Sequence, residues 1–281
     1  MNAYFRLMRL DKPIGIYLLL YPALWALFLA ADGLPRIELL AIFIIGVVLM
    51  RSAGCVINDY ADRKIDNKIE RTKNRPITTG EISPKSALIL FFTLMLVALG
   101  LVLMTNTLTI QLAFVAGGLA TLYPFTKRWT HFPQFVLGLA FAMSVPMAFA
   151  ATNGSVPESA WWVFLATVLW TVIYDTMYAM SDREEDLKIG VKSTAVLFAK
   201  YDKLIIGILQ VCLLLVLIKV SKLFNLGDFY DISLVFSIIL MIYHQNLIKN
   251  REKTACFHAF LHNNFIGLVI LLGIVLSVIW F

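Results

Sequence analysis

Nine stretches of roughly twenty mostly apolar residues run through this chain, near 14–31, 38–57, 87–104, 109–125, 134–151, 160–180, 204–221, 232–247 and 262–281. A bilayer core about 30 Å thick takes about 20 helical residues to cross, and within it each backbone N–H and C=O must be satisfied inside its own segment. The pattern therefore predicts an all-α membrane protein, a bundle of nine transmembrane helices. A mean hydropathy of +0.80 with 15% charged residues agrees, since soluble chains are about a quarter charged. The segments at 109–125 and 232–247 are short, so these two are expected to bend or to be partly re-entrant. The first apolar run follows a basic N-terminus, but it is longer than a signal-peptide core and carries Pro13, Pro22 and Trp25, so it is expected to stay as a span.

Charge distribution sets the expected orientation. With the N-terminus in the cytoplasm, the inner segments and helix ends hold 20 of the 24 Lys and Arg residues, the outer ones hold Arg36, Lys219 and Lys222, and Arg51 lies within a span. This is the positive-inside pattern, and it accounts for the basic excess without a nucleic-acid partner. Two inner loops, 58–86 and 181–203, are long and charged while the other connections are mostly short, so chemistry is expected there. No linker or low-complexity stretch divides the chain, which reads as one intramembrane domain, 1–281.

Both loops begin with acidic clusters. Asn58, Asp62 and Asp66 recur every four residues and share one helical face. At the end of the sixth span, Asp175 and Asp182 are seven apart and nearly eclipsed, while Tyr178, Asp182 and Asp186 repeat the four-residue step. Carboxylates gathered at a membrane boundary repel one another and desolvate at high cost unless a cation joins them. Oxygen donors without thiolate or imidazole point to Mg2+, which a few carboxylates typically share with substrate phosphates. Basic residues interleave with the acids at Arg63, Arg71, Lys73 and Arg75, with Lys127 and Arg128 in the next inner loop. A site both acidic and basic suits a metal diphosphate.

Arg51 stands seven residues before Asn58, on one face with Cys55, Asn58 and Asp62 and deeper in the membrane. A buried guanidinium must face the bundle interior and meet an anion there, and a substrate carboxylate would serve. Cys55, Cys212 and Cys256 lack metal-ligand spacing and read as structural. His258 and His262 share a helical face, but no third ligand lies near them in the chain, which favours packing.

These motifs resemble those of the UbiA-type intramembrane prenyltransferases. The resemblance spans essentially the whole chain. It rests on Leu10-Asp11-Lys12-Pro13-Ile14-Gly15, the cluster from Asn58 to Asp66, Arg71-Thr72-Lys73-Asn74-Arg75-Pro76, Tyr123-Pro124-Phe125-Thr126-Lys127-Arg128 and the run from Tyr174 to Asp182. The run Asp186-Leu187-Lys188-Ile189-Gly190-Val191-Lys192-Ser193-Thr194-Ala195 is similar to the branch that prenylates 4-hydroxybenzoate on the way to ubiquinone. The resemblance implies a nine-helix bundle open laterally to the lipid bilayer, in which two Mg2+ ions are bridged by a polyprenyl diphosphate. It implies Asn58, Asp62 and Asp66 at one ion and Asp175, Asp182 and Asp186 at the other. Arg63, Arg71, Arg75, Tyr123 and Lys127 would hold the diphosphate, and Arg51 the benzoate carboxylate. Asp175 or Tyr178 would assist proton loss after an allylic cation is attacked by the ring carbon ortho to the phenol. Other acceptors, such as homogentisate, a naphthoate or haem, would share the acidic clusters. A cation transporter would instead spread ionisable groups through both leaflets.

Overall fold

The computed structural model describes residues 2–280. Among them there is no strand. A short N-terminal helix α1 (Ala3–Leu7) is followed by α2 (Ile14–Ala31), α3 (Ile37–Asp62), α4 (Pro84–Val102), α5 (Thr107–Thr126), α6 (Pro133–Ala142), α7 (Ser144–Asn153), α8 (Glu158–Ile189), α9 (Thr194–Phe198), α10 (Asp202–Leu223), α11 (Asp228–Leu247), α12 (Lys253–His262) and α13 (Asn264–Trp280). With α6–α7, α9–α10 and α12–α13 each counted once, nine helical segments among the described residues are long and apolar enough to cross a membrane.

The breaks do not fall in the two spans expected to bend. α5 and α11 run unbroken, whereas the fifth and ninth spans break in mid-span and the seventh begins with the separate short helix α9. Pro146 explains the first break: it has no N–H to give the Ala142 carbonyl, and its ring crowds that same carbonyl, so α6 ends at Ala142. At the second, the fully buried Asn263 donates from Nδ2 to the Ala259 carbonyl at 2.8 Å and to Met177 Sδ at 3.3 Å. A side-chain amide bonded to the backbone a turn earlier competes with regular helix bonding.

α3 and α8 outrun the apolar windows that predict them. At 1.5 Å per residue, 26 and 32 residues span about 39 and 48 Å, against about 30 Å of hydrocarbon. Their ends therefore project as helices, α8 carrying Asp175, Asp182 and Asp186 and α3 carrying Asn58 and Asp62. Asp66 lies past the end of α3 in a single 3-10 turn, so the helical face expected to join it to Asn58 and Asp62 stops short of it. α8 stops at Gly190, whose φ of 72° makes a left-handed C-cap.

The core lies where α2, α8 and α13 cross. Trp25 and Trp170 rings sit 5.3 Å apart, and Trp25 Nε1 donates to the Gly267 carbonyl at 3.1 Å. A side-chain carbon at Gly267 would collide with Trp170 and Tyr21, so this crossing requires glycine. Phe149 and Trp170, aromatics of the apolar spans, belong to this core. All three cysteines are free. The histidines gain a neighbour that their spacing does not reveal: His244 of α11 places Nε2 3.0 Å from His262 Nδ1. Even so, no three His, Cys, Asp or Glu side chains among the described residues are disposed to hold a metal ion.

Candidate active site

A chamber of about 870 Å3 opens between α2, α3, α4, α5, α8 and α12. Its charged mouth is formed by Arg9, Asp11, Asn58, Asp59, Arg71 and Arg75, and Arg51 lies inside. Arg51 precedes Asn58 by seven residues on α3, which sets it about 10 Å deeper. Phe92, Leu96 and Phe114 line the chamber while remaining more than half exposed, so its apolar wall reaches the lipid-facing surface.

Of the acidic residues that the sequence singles out, Asp175 lines the chamber, whereas Asp62, Asp66, Asp182 and Asp186 do not, and each is handled differently. Lys127 binds Asp62, and Arg71 binds Asp182, its Nε donating to Oδ1 at 3.2 Å. Arg75 donates to Asp66 at 2.9 Å and also pairs with Asp59 at 3.0 Å. Asp66, Asp62 and Asp182 thus sit just behind basic groups, two of which, Arg71 and Arg75, line the chamber. Burial pushes the Asp66 carboxyl up to about 6, against the pull of Arg75. Asp186 lies one turn beyond Asp182, within electrostatic reach of Lys127 and Arg71. Asp175 lines the chamber within reach of the Arg51 charge.

Arg51 faces the interior, as its cost in lipid demands. Its Nε is buried without a hydrogen-bond partner. Gly15 of α2 makes the space, because a side-chain carbon there would overlap the guanidinium. Tyr123, Tyr174 and Tyr178 share the lining with Phe257 and Phe260 of α12. The ring of Tyr178 lies 4.7 Å from that of Phe260, and the Arg71 guanidinium sits 4.7 Å from the Tyr178 centroid.

Four expected substrate contacts do not line the chamber: Lys127, held on Asp62, and Arg63, Lys73 and Arg128. Arg63 folds back over Tyr60, 4.1 Å from the ring centroid, and donates to its carbonyl at 2.6 Å. Lys73 is exposed and pairs with Glu70 at 2.6 Å. Arg128 donates to the Ala61 carbonyl at 2.6 Å, satisfying the end of α3. In each case a nearby partner captures the side chain. Conversely, Asp59, Arg9 and the α12 aromatics belong to the site without having been singled out. Arg9 donates to both oxygens of the buried Asp59, at 2.9 and 3.0 Å. Asp59 falls off the four-residue face read from the sequence, and Arg9, one of its two partners, lies 50 residues away.

Bundle and chamber together define an integral membrane protein built to take an anionic head group at a charged mouth and an apolar tail along a wall that meets lipid. Residues 19–269 match the UbiA prenyltransferase family, and the chain belongs to it. It is 69% identical over 271 residues to the 4-hydroxybenzoate octaprenyltransferase of Vesicomyosocius okutanii, covering 96% of this chain and 99% of that protein. It is 57% identical to the enzyme of the same name from Saccharophagus degradans, covering 98% and 92%. The fold is that of a UbiA homolog from Aeropyrum pernix solved without ligand, with TM-score 0.82, 22% identity and coverage of 92% and 97%. A UbiA homolog from Archaeoglobus fulgidus bound to GPP and Mg2+ has TM-score 0.75 and 18% identity, covering 96% and 99%.

Proposed function

We propose that this chain transfers a polyprenyl group from polyprenyl diphosphate to the carbon ortho to the hydroxyl of 4-hydroxybenzoate, releasing diphosphate, as a step in ubiquinone biosynthesis. The carrying observation is one chamber that joins Arg51, whose buried Nε has no hydrogen-bond partner, to a charged mouth and a lipid-facing apolar wall. The names of the relatives, at 69% and 57% identity over nearly the whole chain, support the same donor and acceptor.

The residues at and behind the mouth suit a hard divalent cation. Asn58, Asp62, Asp66, Asp175, Asp182 and Asp186 offer oxygen alone, and Asp62 Oδ1 is buried with no hydrogen-bond partner. Asn58, Asp62 and Asp66 would hold one Mg2+ ion, and Asp175, Asp182 and Asp186 a second. As placed, no three of these acids converge on one point, so Asp62, Asp66 and Asp182 would first turn from Lys127, Arg75 and Arg71 toward the ions. When bound, Mg2+ supplies Lewis-acid neutralisation of the leaving diphosphate. Arg71, Arg75 and Lys127 add positive charge where the diphosphate departs. The ring faces of Tyr174, Tyr178, Phe257 and Phe260 favour the allylic cation as the C–O bond breaks. Apolar walls exclude the water that would quench it. Arg51 takes the benzoate carboxylate, and the polyprenyl tail lies along Phe92, Leu96 and Phe114 toward the bilayer.

The chain works as a single intramembrane domain in a bacterial inner membrane, its N-terminus and mouth on the cytoplasmic side. The test of the activity is transfer of a radiolabelled polyprenyl group to 4-hydroxybenzoate, with and without Mg2+, by wild type and Asp62→Asn. Mg2+-dependent product that vanishes in the variant is the expected result. Prenylation of homogentisate or a naphthoate in place of 4-hydroxybenzoate would overturn the acceptor.

A further inference from the structure

Of the motifs that stand out in the sequence, Leu10-Asp11-Lys12-Pro13-Ile14-Gly15 has a clear role only at its end, where Gly15 admits Arg51. Asp11 lines the chamber at its mouth. No hydrogen bond or ion pair within the described residues reaches its carboxylate, whose Oδ1 is buried from solvent and unpartnered. It does not cap α2, which begins without a side-chain cap. A carboxylate left in this state next to a substrate chamber is a group awaiting a donor.

The other two carboxylates of the lining are already engaged. Asp59 is held by Arg9 and Arg75. Asp175 lies within reach of the Arg51 charge and is assigned above to the second metal ion, so it is not free to take the phenol proton. Tyr178 lies beneath the guanidinium of Arg71. Asp11 stands four residues before Gly15, in the turn that leads into α2, and Gly15 abuts the Arg51 guanidinium. The carboxylate and phenol oxygens of 4-hydroxybenzoate stand at opposite ends of a rigid ring. With its carboxylate on Arg51, the ring must turn its phenol toward the mouth, because the ortho carbon has to meet the allylic carbon beside the diphosphate. The segment bearing Asp11 is fixed there: Lys12 N–H donates to the Arg9 carbonyl at 3.1 Å, and Arg9 is anchored on Asp59.

On the acceptor assignment given above, we infer that Asp11 is the general base that accepts the phenol proton of 4-hydroxybenzoate. As the allylic C–O bond breaks and its electron pair leaves with diphosphate, the phenol O–H proton passes to the Asp11 carboxylate. The ortho carbon forms the new C–C bond, giving a neutral cyclohexadienone. The ring C–H proton then departs to the released diphosphate, and protonated Asp11 returns its proton to the oxygen, restoring the aromatic phenol.

The experiment compares wild type, Asp11→Asn and Asp11→Glu, purified in lipid nanodiscs with Mg2+ and polyprenyl diphosphate, on two acceptors. One is 4-hydroxybenzoate and the other its 3-fluoro derivative, whose phenol is more acidic and which keeps one ortho carbon free. Asp11→Asn should lose about 10²–10⁴-fold in kcat on 4-hydroxybenzoate while the KM for polyprenyl diphosphate stays near wild type. The fluorinated acceptor should recover at least about tenfold of that loss, and Asp11→Glu should restore part of the rate. Equal losses on both acceptors, or an Asp11→Asn enzyme with wild-type kcat, would overturn the role of Asp11 while leaving the acceptor assignment intact. A wild type that prenylates neither acceptor would overturn both. Should Asp11→Asn fail to fold, Asp11→Glu decides: a kcat ratio to wild type that is the same on the two acceptors overturns the role, and one that shifts with phenol acidity supports it.

Discussion

Arg51 owes its position to what is absent opposite it. The guanidinium occupies space that any side chain at Gly15 would claim, and because a long arginine swings more easily than two helices separate, Gly15→Ala should displace the guanidinium rather than unfold the bundle. We expect kcat/KM for 4-hydroxybenzoate to fall about tenfold, about 1.4 kcal/mol, with KM for polyprenyl diphosphate and the melting temperature little changed. Equal loss for both substrates would contradict the assignment of Arg51 to the acceptor. Asp66 carries a second prediction at this scale. Burial outweighs Arg75 and holds its carboxyl at about 6, above the ordinary Asp value near 3.9. The folded protein therefore binds that proton more tightly than the unfolded chain does. The resulting stabilisation is full below about pH 4 and is lost as pH rises through about 6, a change of up to about 3 kcal/mol. In metal-free protein, Asp66→Asn should melt above wild type at pH 7, with Arg75 still paired to Asp59, and the gap should close near pH 4. A gap that persists unchanged at pH 4 would show that the titration of Asp66 is not its source.

At the scale of elements, the bilayer makes the spans legible and packing hides their details. Hydropathy alone locates nine spans, because lipid leaves the backbone no alternative to helix. Their breaks are less visible. Pro146 announces itself chemically, but Asn263, whose amide bonds back to the Ala259 carbonyl, is also held by Met177, 86 residues away, a contact no local window contains. The helix ends beyond the membrane are equally hidden, since hydropathy falls at the surface while hydrogen bonding continues to Gly190. Among the site residues, the i, i+4 carboxylates are readable from spacing, whereas their cations are not: Lys127 reaches Asp62 across 65 residues and Arg71 reaches Asp182 across 111. Arg63, Lys73 and Arg128 look alike in sequence, yet partners three residues away take Arg63 and Lys73, and the Ala61 carbonyl, 67 residues away, takes Arg128. The crossing of α13 with α2 and α8 gives this scale its prediction. Gly267→Ala inserts a carbon into Trp170 and Tyr21 and should destabilise by about 1–3 kcal/mol. Gly118→Ala, with open space around it, should be neutral or slightly stabilising. Thermal unfolding of both variants in the same detergent reads the difference directly, and equal melting temperatures would refute a packed crossing.

For the whole molecule, the charge pattern and the site make one joint demand. Nine alternating spans put the N-terminus, the 63–83 loop, the α5–α6 turn, the end of α8 and the α11–α12 turn at one end of the bundle. That end holds the mouth of the chamber and nearly all the basic residues. We propose, from the positive-inside bias, that it faces the cytoplasm, where a water-soluble diphosphate head group and acceptor can enter while the polyprenyl tail stays in lipid. Single cysteines would test the orientation in a background where Cys55, Cys212 and Cys256 are alanine and prenyl transfer is retained. Lys68 is an exposed position at the charged end and Ser155 an exposed position at the other. In intact spheroplasts, a membrane-impermeant maleimide should label Ser155→Cys and leave Lys68→Cys unlabelled until the membrane is opened. The reverse pattern would put the active site outside, and the basic excess would then need a cause other than topology.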